Sequence, residues 1–561
     1  MGITTRRRGR IGGSYVSAAR FVDCSTRSRD ADACNAGAVL GALVVLIAIG
    51  VAVGVIVSKK NAGNDSGKNA SGLDSIPRDS IPPAAVGTYL DPFSWLDTND
   101  FNLTYTNDTV GDLPVMGLYS GWDNSKSANP MVPPLDKPWG SYGSRPARGV
   151  NLGGWLALEP FITPSLFNYD IKLGIVDEYT LCRFLGDKAA SVLEKHYSTF
   201  VTEQTFVDIA NAGLDHVRIP FSYWAVQTYD DDSYVFRTSW RYLLRGIEWA
   251  RRNGLRVNLD LHGLPGSQNG WNHSGRQGQI RWLNGSPEGS RNAQRSLDVH
   301  DRLSKFFAQD RYRGLISFYG LGNEPKMTDL STTDVTAWTD RAYKMVKANG
   351  VDAIQVFGDG FMGLEKWQGQ LPGRDDLALD VHQYVIFNYA QIVFNHSDKI
   401  RYACDEWTKQ TQMSMNRATG YGPTLVAEWS QADTDCAQFL TNVGWGNRWT
   451  GTYATGNRTT EVLTPRCPTK DYRCDCGPAN NPDAGSFSGS YKRFLLMFAE
   501  AQMTSFEKGW GWWYWTWDTE NAPLWSYKKG LAAGILPAKA YSRSYDCTQG
   551  VPSFDDLPET Y

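Results

Sequence analysis

The chain has 561 residues, and 56 Lys+Arg against 59 Asp+Glu leave a formal net charge of −3. That balance, without a basic stripe, excludes nucleic acid as an expected partner. The length exceeds one average domain and suits a barrel with appendages; the 21 Trp, 27 Tyr and 23 Phe can build cores or stack on sugar rings, so their number alone decides little.

Residues 1–35 read as a polar, basic cytoplasmic tail carrying Arg6, Arg7, Arg8, Arg10, Arg20, Arg27 and Arg29. Residues 36–57 follow, 22 residues without a charge, which is enough to span a bilayer core. The run is longer than the apolar part of a cleaved signal peptide, and no clear small-residue cleavage site follows it. A transmembrane signal anchor is therefore expected ahead of a cleaved signal. Seven arginines precede the run and only Lys59 and Lys60 follow closely. That asymmetry predicts a single-pass type II protein of the cell membrane, with its bulk extracellular. Eight Asn-x-Ser/Thr sequons, at Asn64, Asn69, Asn102, Asn107, Asn272, Asn284, Asn395 and Asn457, all lie after the run, as suits a glycosylated outer domain. Cys34, beside the run, is either a palmitoylation site or an idle thiol. Residues 58–86, rich in Asn, Ser, Gly, Asp and Pro, read as a flexible stalk. Residues 87–139 form an N-terminal extension with aromatics suited to packing on the main domain, and nothing in it assigns a role.

From residue 140 to 561 short apolar runs recur with amphipathic stretches between them, such as Trp240 to Arg252 and Thr333 to Asn349. The runs are Arg148–Leu152, Asp215–Pro220, Leu255–His262, Leu315–Glu324, Ala353–Gly358, Leu377–His382, Thr424–Glu428 and Trp510–Trp515. Strands alternating with helices predict a parallel sheet, and eight such units predict an α/β fold, a (β/α)8 TIM barrel with insertions. An open doubly wound sheet is the rival. No glycine-rich phosphate fingerprint follows the first strand, which weakens that rival.

Barrel enzymes work at the C-terminal ends of their strands. There the sequence collects Arg218, His262, Asn323, Glu324, His382, Tyr384 and Glu428. Pro325 cannot continue a ladder, so the fourth strand is expected to stop at Glu324. Two carboxylates facing each other across a barrel mouth are the pair that glycoside hydrolysis requires, one acid/base and one nucleophile or base. Asn323 suits the sugar 2-hydroxyl. Arg218 suits a carboxylate that has to stay ionised. His262, His382 and Tyr384 could orient the carboxylates or bind hydroxyls, or be satisfied rim residues. No close metal-ligand spacing runs through the seven His, so neither a metal nor a cofactor is expected.

Residues 145 to 547 resemble glycoside hydrolase family 5, and most closely its fungal exo-β-1,3-glucanases. The resemblance is carried by Arg148–Trp155 continuing to Leu158–Ile162, by Val217–Pro220, by Leu261–Gly263 with Pro265–Gly270, by Gly322–Pro325, by His382–Tyr384, by Ala427–Ser430 and by Thr519–Pro523. It implies that Glu324 is the acid/base and Glu428 the nucleophile, with retention of configuration. It implies a family shell of Arg218, His262, Asn323, His382, Tyr384 and Trp515. Glu159 looks like the residue that binds the terminal glucose, and Trp271 and Phe387 fall where the family presents aromatics to the next sugar; ordinary loop packing is the alternative for those two. The resemblance further implies disulfides Cys404–Cys547 and Cys436–Cys467. Seven cysteines follow the apolar run, and an odd number leaves at least one thiol free or paired between chains. Thr455–Ser490, with Cys467, Cys474 and Cys476, looks longer than the family pattern, which leaves the outer subsites open.

The expectation is a retaining exo-acting hydrolase that removes glucose from the non-reducing ends of β-1,3-glucan in wall remodelling, a monomer tethered to the lipid bilayer through residues 36–57. A family 5 enzyme of other linkage preference, or a transglucosylase, is the alternative. A membrane-tethered glucan-binding protein without catalysis would have lost one glutamate, and both are present.

Overall fold

Eight apolar runs become eight strands: β1 (Ala147–Asn151), β2 (His216–Ser222), β3 (Arg256–Gly263), β4 (Ile316–Gly320), β5 (Ile354–Gly358), β6 (Leu377–Gln383), β7 (Thr424–Trp429) and β8 (Gly511–Tyr514). In this computed structural model they close into one parallel barrel in chain order, β8 pairing with β1, which removes the open-sheet rival. Every residue of β2, β3 and β7 is buried, as expected of parallel strands covered by helices on one face and filled by side chains on the other. The structure describes Leu73 and residues 77–560, apart from 99–100, 102–105 and 119–120. The expected cytoplasmic tail, the apolar run 36–57 and most of the stalk lie outside the described residues, as do Asn64, Asn69 and Asn102. Among the described residues no helix is long and apolar enough to cross a membrane.

The helices are α1 (Glu178–Leu185), α2 (Ala189–Phe200), α3 (Glu203–Asn211), α4 (Thr238–Arg252), α5 (Pro287–Phe307), α6 (Thr332–Ala348), α7 (His396–Tyr402), α8 (Thr408–Met415), α9 (Gly489–Phe506) and α10 (Tyr527–Ala533). Serine starts several of them: the Ser286, Ser331 and Ser488 side chains accept from Gly289, Asp334 and Tyr491 amides at the heads of α5, α6 and α9, each satisfying a donor that helix geometry leaves unpaired. The β/α alternation breaks once. Between β5 and β6 only the short 3-10 turn Leu364–Trp367 forms, because Gly360, Gly363, Gly369, Pro372 and Gly373 interrupt the connection and all four of its glycines sit at positive φ.

The N-terminal extension acquires a structural role. It covers α4, a helix whose arginines would otherwise read as a solvated face. Arg241 lies over Trp95 at 4.7 Å, Arg245 pairs with Asp97 at 3.1 Å, and Trp240 Nε1 donates to the Pro114 carbonyl at 2.9 Å. The end of the extension then plugs the N-terminal mouth of the barrel. Trp139 and Tyr142 stack at 5.4 Å, and Tyr142 shares a 3.0 Å hydrogen bond with His216. Above them Trp513 fills the barrel interior, and a Cβ on Gly149 would lie 2.2 Å from its ring, so β1 requires glycine there.

Cys404 pairs with Cys547 as expected. The expected Cys436–Cys467 pair does not form: Cys436 pairs with Cys476, and Cys467 closes a short loop with Cys474. All of these loops meet at Trp449, whose backbone N–H donates to Asp435 (2.9 Å), whose indole donates to the Asp475 carbonyl (3.1 Å) and whose carbonyl accepts from the Cys467 N–H (3.3 Å). Cys182 is the buried free thiol that the odd number required.

Candidate active site

β4 stops at Gly320, four residues before the expected end at Glu324. Leu321 N–H still donates to Val356 O at 2.8 Å and Asn323 N–H to Leu261 O at 3.2 Å, but Glu324 then turns to a left-handed φ of +49° ahead of Pro325. A non-glycine residue held there costs energy that its surroundings have to supply. Gln268 supplies part of it, its amide donating to the Asn323 carbonyl at 2.7 Å and the His262 carbonyl at 2.8 Å.

Glu428 lies within β7, directly across from His382 in the β6–β7 register. His382 Nδ1 is 2.6 Å from Glu324 Oε1 and 3.3 Å from Glu428 Oε2. Arg218 Nη1 donates to Glu428 Oε1 at 2.8 Å and to Asn151 Oδ1 at 2.9 Å; its Nη2 donates to Asn323 Oδ1 at 2.8 Å and pairs with Asp260 at 3.0 Å. Tyr384 donates to Glu428 Oε2 at 3.2 Å. His262 hydrogen-bonds Asp260 at 2.7 Å and stacks on Trp515 with centroids 5.5 Å apart. All seven polar residues expected at the strand ends meet here, and Trp515 joins them.

Glu159 reaches the same centre from the loop after β1, and its Oε2 is buried without a protein partner. Burial pushes its carboxyl well up, helped by the charges of Glu428 and Glu324, against a hydrogen bond from Trp515. Trp271 and Phe387 stand at the rim, 36% and 42% exposed. Trp271 meets Phe361 edge-on at 5.3 Å, and Phe387 lies 5.4 Å from Tyr384. Of the described sequons Asn107 and Asn457 are exposed, whereas Asn272 is buried beside the site with its amide donating to Asn442. Asn284 donates to Ile280 O, and Asn395 caps α7.

Four participants escaped the sequence reading: Asn151, Asp260, Asp380 and His273. Two were legible in principle. Asp260-Leu261-His262 and Asp380-Val381-His382 repeat one pattern, and residues i and i+2 of a strand share a face. An aspartate two before an inward histidine is therefore inward too, and both pairs hydrogen-bond, at 2.7 and 3.2 Å. His273 Nε2 lies 3.3 Å from Glu324 Oε2, an approach no local pattern announces.

The charges divide unevenly. Burial pushes His382 down, but the carboxylates of Glu428, Asp380 and Glu324 outweigh it and hold the imidazolium well above its ordinary pKa. Burial raises Glu324, yet His382, with His273 and His262 beyond it, pulls that carboxyl down to about 2. Glu428 stays above its ordinary value: burial and the Glu324 charge outweigh the pull of His382 and Arg218. In the free site the proton between Glu324 and His382 therefore rests on His382. Glu324, His382 and Glu428 bring donor atoms within 4.8 Å of one another, a spacing that could hold a metal ion; the His382 imidazolium already places positive charge between the two carboxylates.

Residues 186–455 match the cellulase family, glycosyl hydrolase family 5. The chain is 55% identical over 534 residues to a protein of Aspergillus fumigatus named "probable glucan 1,3-beta-glucosidase D", covering 93% of this chain and 63% of that one. It is 54% identical over 524 residues to the protein of the same name from Aspergillus niger, covering 92% and 62%. The chain thus spans somewhat over three fifths of the length of these relatives. Among solved structures, rutinosidase from Aspergillus niger superposes with a TM-score of 0.51 over 70% of this chain and 97% of that one; at 20% identity the likeness is one of fold.

Proposed function

We propose, from the match of residues 186–455 to glycosyl hydrolase family 5 and the closed barrel that contains them, that this protein is a retaining exo-β-1,3-glucosidase that removes glucose from the non-reducing ends of β-1,3-glucan. The observation that carries the reading is the pair of opposed carboxylates, with an oxygen of Glu324 within 4.8 Å of an oxygen of Glu428. That closeness fits the class in which the second carboxylate attacks the sugar directly, where the carboxyl groups stand roughly 5–5.5 Å apart, rather than the class with a water between them. The names of the relatives support the linkage.

Glu428 attacks the anomeric carbon while Glu324 gives a proton to the departing glycosidic oxygen; the C–O bond breaks and a glycosyl ester forms on Glu428. Glu324 then takes a proton from water, which cleaves the ester and releases β-glucose. Glu324 needs that first proton, and the 2.6 Å hydrogen bond from His382 is its route. Arg218 and Tyr384 keep Glu428 aimed through its two oxygens. Asn323, fixed by Arg218, receives the 2-hydroxyl. Glu159, a buried carboxyl with a free oxygen, takes a hydroxyl of the terminal glucose, which favours chain ends. Trp271 and Phe387 offer faces to the next sugar.

Residues 36–57 anchor the chain in the cell membrane in type II orientation and hold the barrel, as a monomer, against wall glucan; the arginines before the apolar run and the sequons after it support this. Alkaline carbonate extraction of membranes tests the anchor, and release of the full chain would refute it.

Laminarin with the full chain in detergent tests the activity, with proton NMR following the first product. β-Glucose, lost in Glu428→Ala, is the expected result. α-Glucose would refute the two-step route, and larger oligosaccharides would refute exo action.

A further inference from the structure

The two oxygens of Glu324 meet different histidines. Oε1 accepts from His382 at 2.6 Å, and Oε2 lies 3.3 Å from His273 Nε2. His273 belongs to the 3-10 turn Asn272–Ser274 in the loop after β3. The turn is built to hold its place. Ser274 Oγ donates to Trp271 O at 2.7 Å, Tyr179 N–H donates to Gly275 O at 3.0 Å, and Gln277 N–H donates to Asp177 Oδ2 at 2.6 Å. The start of α1 therefore fixes the loop that carries the imidazole. Gly275 sits at φ +91°, and a Cβ there would strike Trp224 at 2.4 Å, so the chain has one way to pass. The His273 ring lies 5.3 Å from His262 and 5.6 Å from Trp271, and its Nδ1 is buried without a protein partner. Burial pushes the ring's pKa down to about 4; Glu324 pulls the other way, and His262 and His382 add to the fall. At neutral pH the ring carries one N–H and no charge.

We propose that His273 is a positioning residue for the acid/base: its Nε2–H donates to Glu324 Oε2 and stabilises the carboxylate left once Glu324 has protonated the leaving oxygen. The inference rests on the reading of Glu324 given above. His382 cannot serve both oxygens, because it is shared with Glu428 and Asp380. A second donor on the opposite oxygen meets the charge where it develops, and catalytic contacts of about 3.3 Å in a ligand-free site commonly tighten around the substrate. A neutral donor suits the task, since a second full positive charge would hold Glu324 ionised and empty of the proton it has to give. No proton leaves His273 at any step: the proton passes from Glu324 to the glycosidic oxygen as the C–O bond breaks, and returns to Glu324 from water.

The test compares His273→Phe, which keeps a ring and removes the donor, with His273→Gln, which restores a neutral donor near the Nε2 position. Each is assayed beside the wild type on laminaribiose and on 2,4-dinitrophenyl β-glucoside. The sugar leaving group needs the proton and the dinitrophenolate does not, so kcat/KM on the two substrates separates help to the acid from general damage. His273→Phe should lose roughly ten- to hundredfold on laminaribiose, the range a hydrogen bond to a charged group supports, with the activated glucoside nearly unchanged, and His273→Gln should recover most of the loss. Equal losses on both substrates, an unchanged Phe variant, or a Gln variant no better than Phe would overturn the assignment while leaving the functional reading standing. A wild type that turned over neither substrate would overturn both.

Discussion

Replacing Arg218 with Met isolates what one buried cation does. The guanidinium is 3% exposed and holds Glu428, Asp260, Asn151 and Asn323 at 2.8 to 3.0 Å. Met has similar length and no charge, so two buried carboxylates lose their shared counter-charge. Asp260 keeps His262, and Glu428 keeps Tyr384 and His382, which limits the damage to the cost of breaking one buried pair, about 3–5 kcal/mol. Unfolding entropy of about 2.1 cal/mol/K per residue, over a barrel of roughly 420 residues, converts each kcal/mol into about 1 °C, so Tm should fall about 3–6 °C and the enzyme stay folded at assay temperature. Activity should suffer more. Glu428 already sits above its ordinary pKa, for burial and Glu324 outweigh His382 and Arg218, and without Arg218 it rises further. In the proposed mechanism Glu428 attacks ionised, so the acid limb of kcat/KM on laminaribiose should move to higher pH. Arg218→Lys keeps the charge but not the fork, and should bring the limb back while recovering only part of the rate. The assays are a melting curve and a pH profile of kcat/KM for each variant. An Arg218→Met enzyme with wild-type Tm and an unmoved acid limb would refute the reasoning.

Glu178, buried at the start of α1, accepts the Leu158 amide at 3.0 Å beside Glu159, and burial raises its pKa to about 8. A folded-state pKa above the unfolded value means stability fully present below about pH 4.5 and lost as pH rises through about 8; Glu178→Gln should therefore melt like the wild type at pH 4 and later than it at pH 9, by a few kcal/mol, and equal curves at pH 9 would contradict this. Cys404 and Cys547 are 143 residues apart, so in the chain-entropy account their bond is worth about 5 kcal/mol; replacing both with Ala should lower Tm by about 5 °C with kcat/KM on laminaribiose retained, and an unchanged Tm would show that the link constrains nothing. Peptide mapping without reduction should recover 436 linked to 476 and 467 linked to 474, and a 436–467 peptide would overturn the pairing.

Local pattern revealed the strands and the inward faces. A run such as Thr424–Trp429 is short, apolar and buried throughout, and its end-residue chemistry follows from position alone. Where reading failed, a contact between distant segments decided the outcome. The fourth strand reads as continuous to Glu324, yet regular pairing ends at Gly320, only the Leu321 and Asn323 amides still reach the neighbouring strands, and Glu324 turns to a left-handed φ where Gln268 from the preceding loop holds the Asn323 carbonyl. Trp240 to Arg252 reads only as an amphipathic stretch, and nothing in it shows that Arg241 and Arg245 lie under Trp95 and Asp97 of the extension 87–139. Cys436 pairs with Cys476 and Cys467 with Cys474 in loops that all meet at Trp449, and no spacing rule separates those pairings.

Composition and order alone thus determined the class of fold, the two glutamates and the shell of polar residues at the strand ends, since alternation along a strand and the breaks after it are properties of neighbours in the chain. Only closure of the barrel decided which of those residues touch. It set Glu324 between His382 and His273, set Glu428 against Arg218 and Tyr384, and so divided the charge between two chemically identical carboxyls. A carboxyl's pKa is fixed by what surrounds it in space, and in this site those surroundings come from five different strands and the loops beyond them.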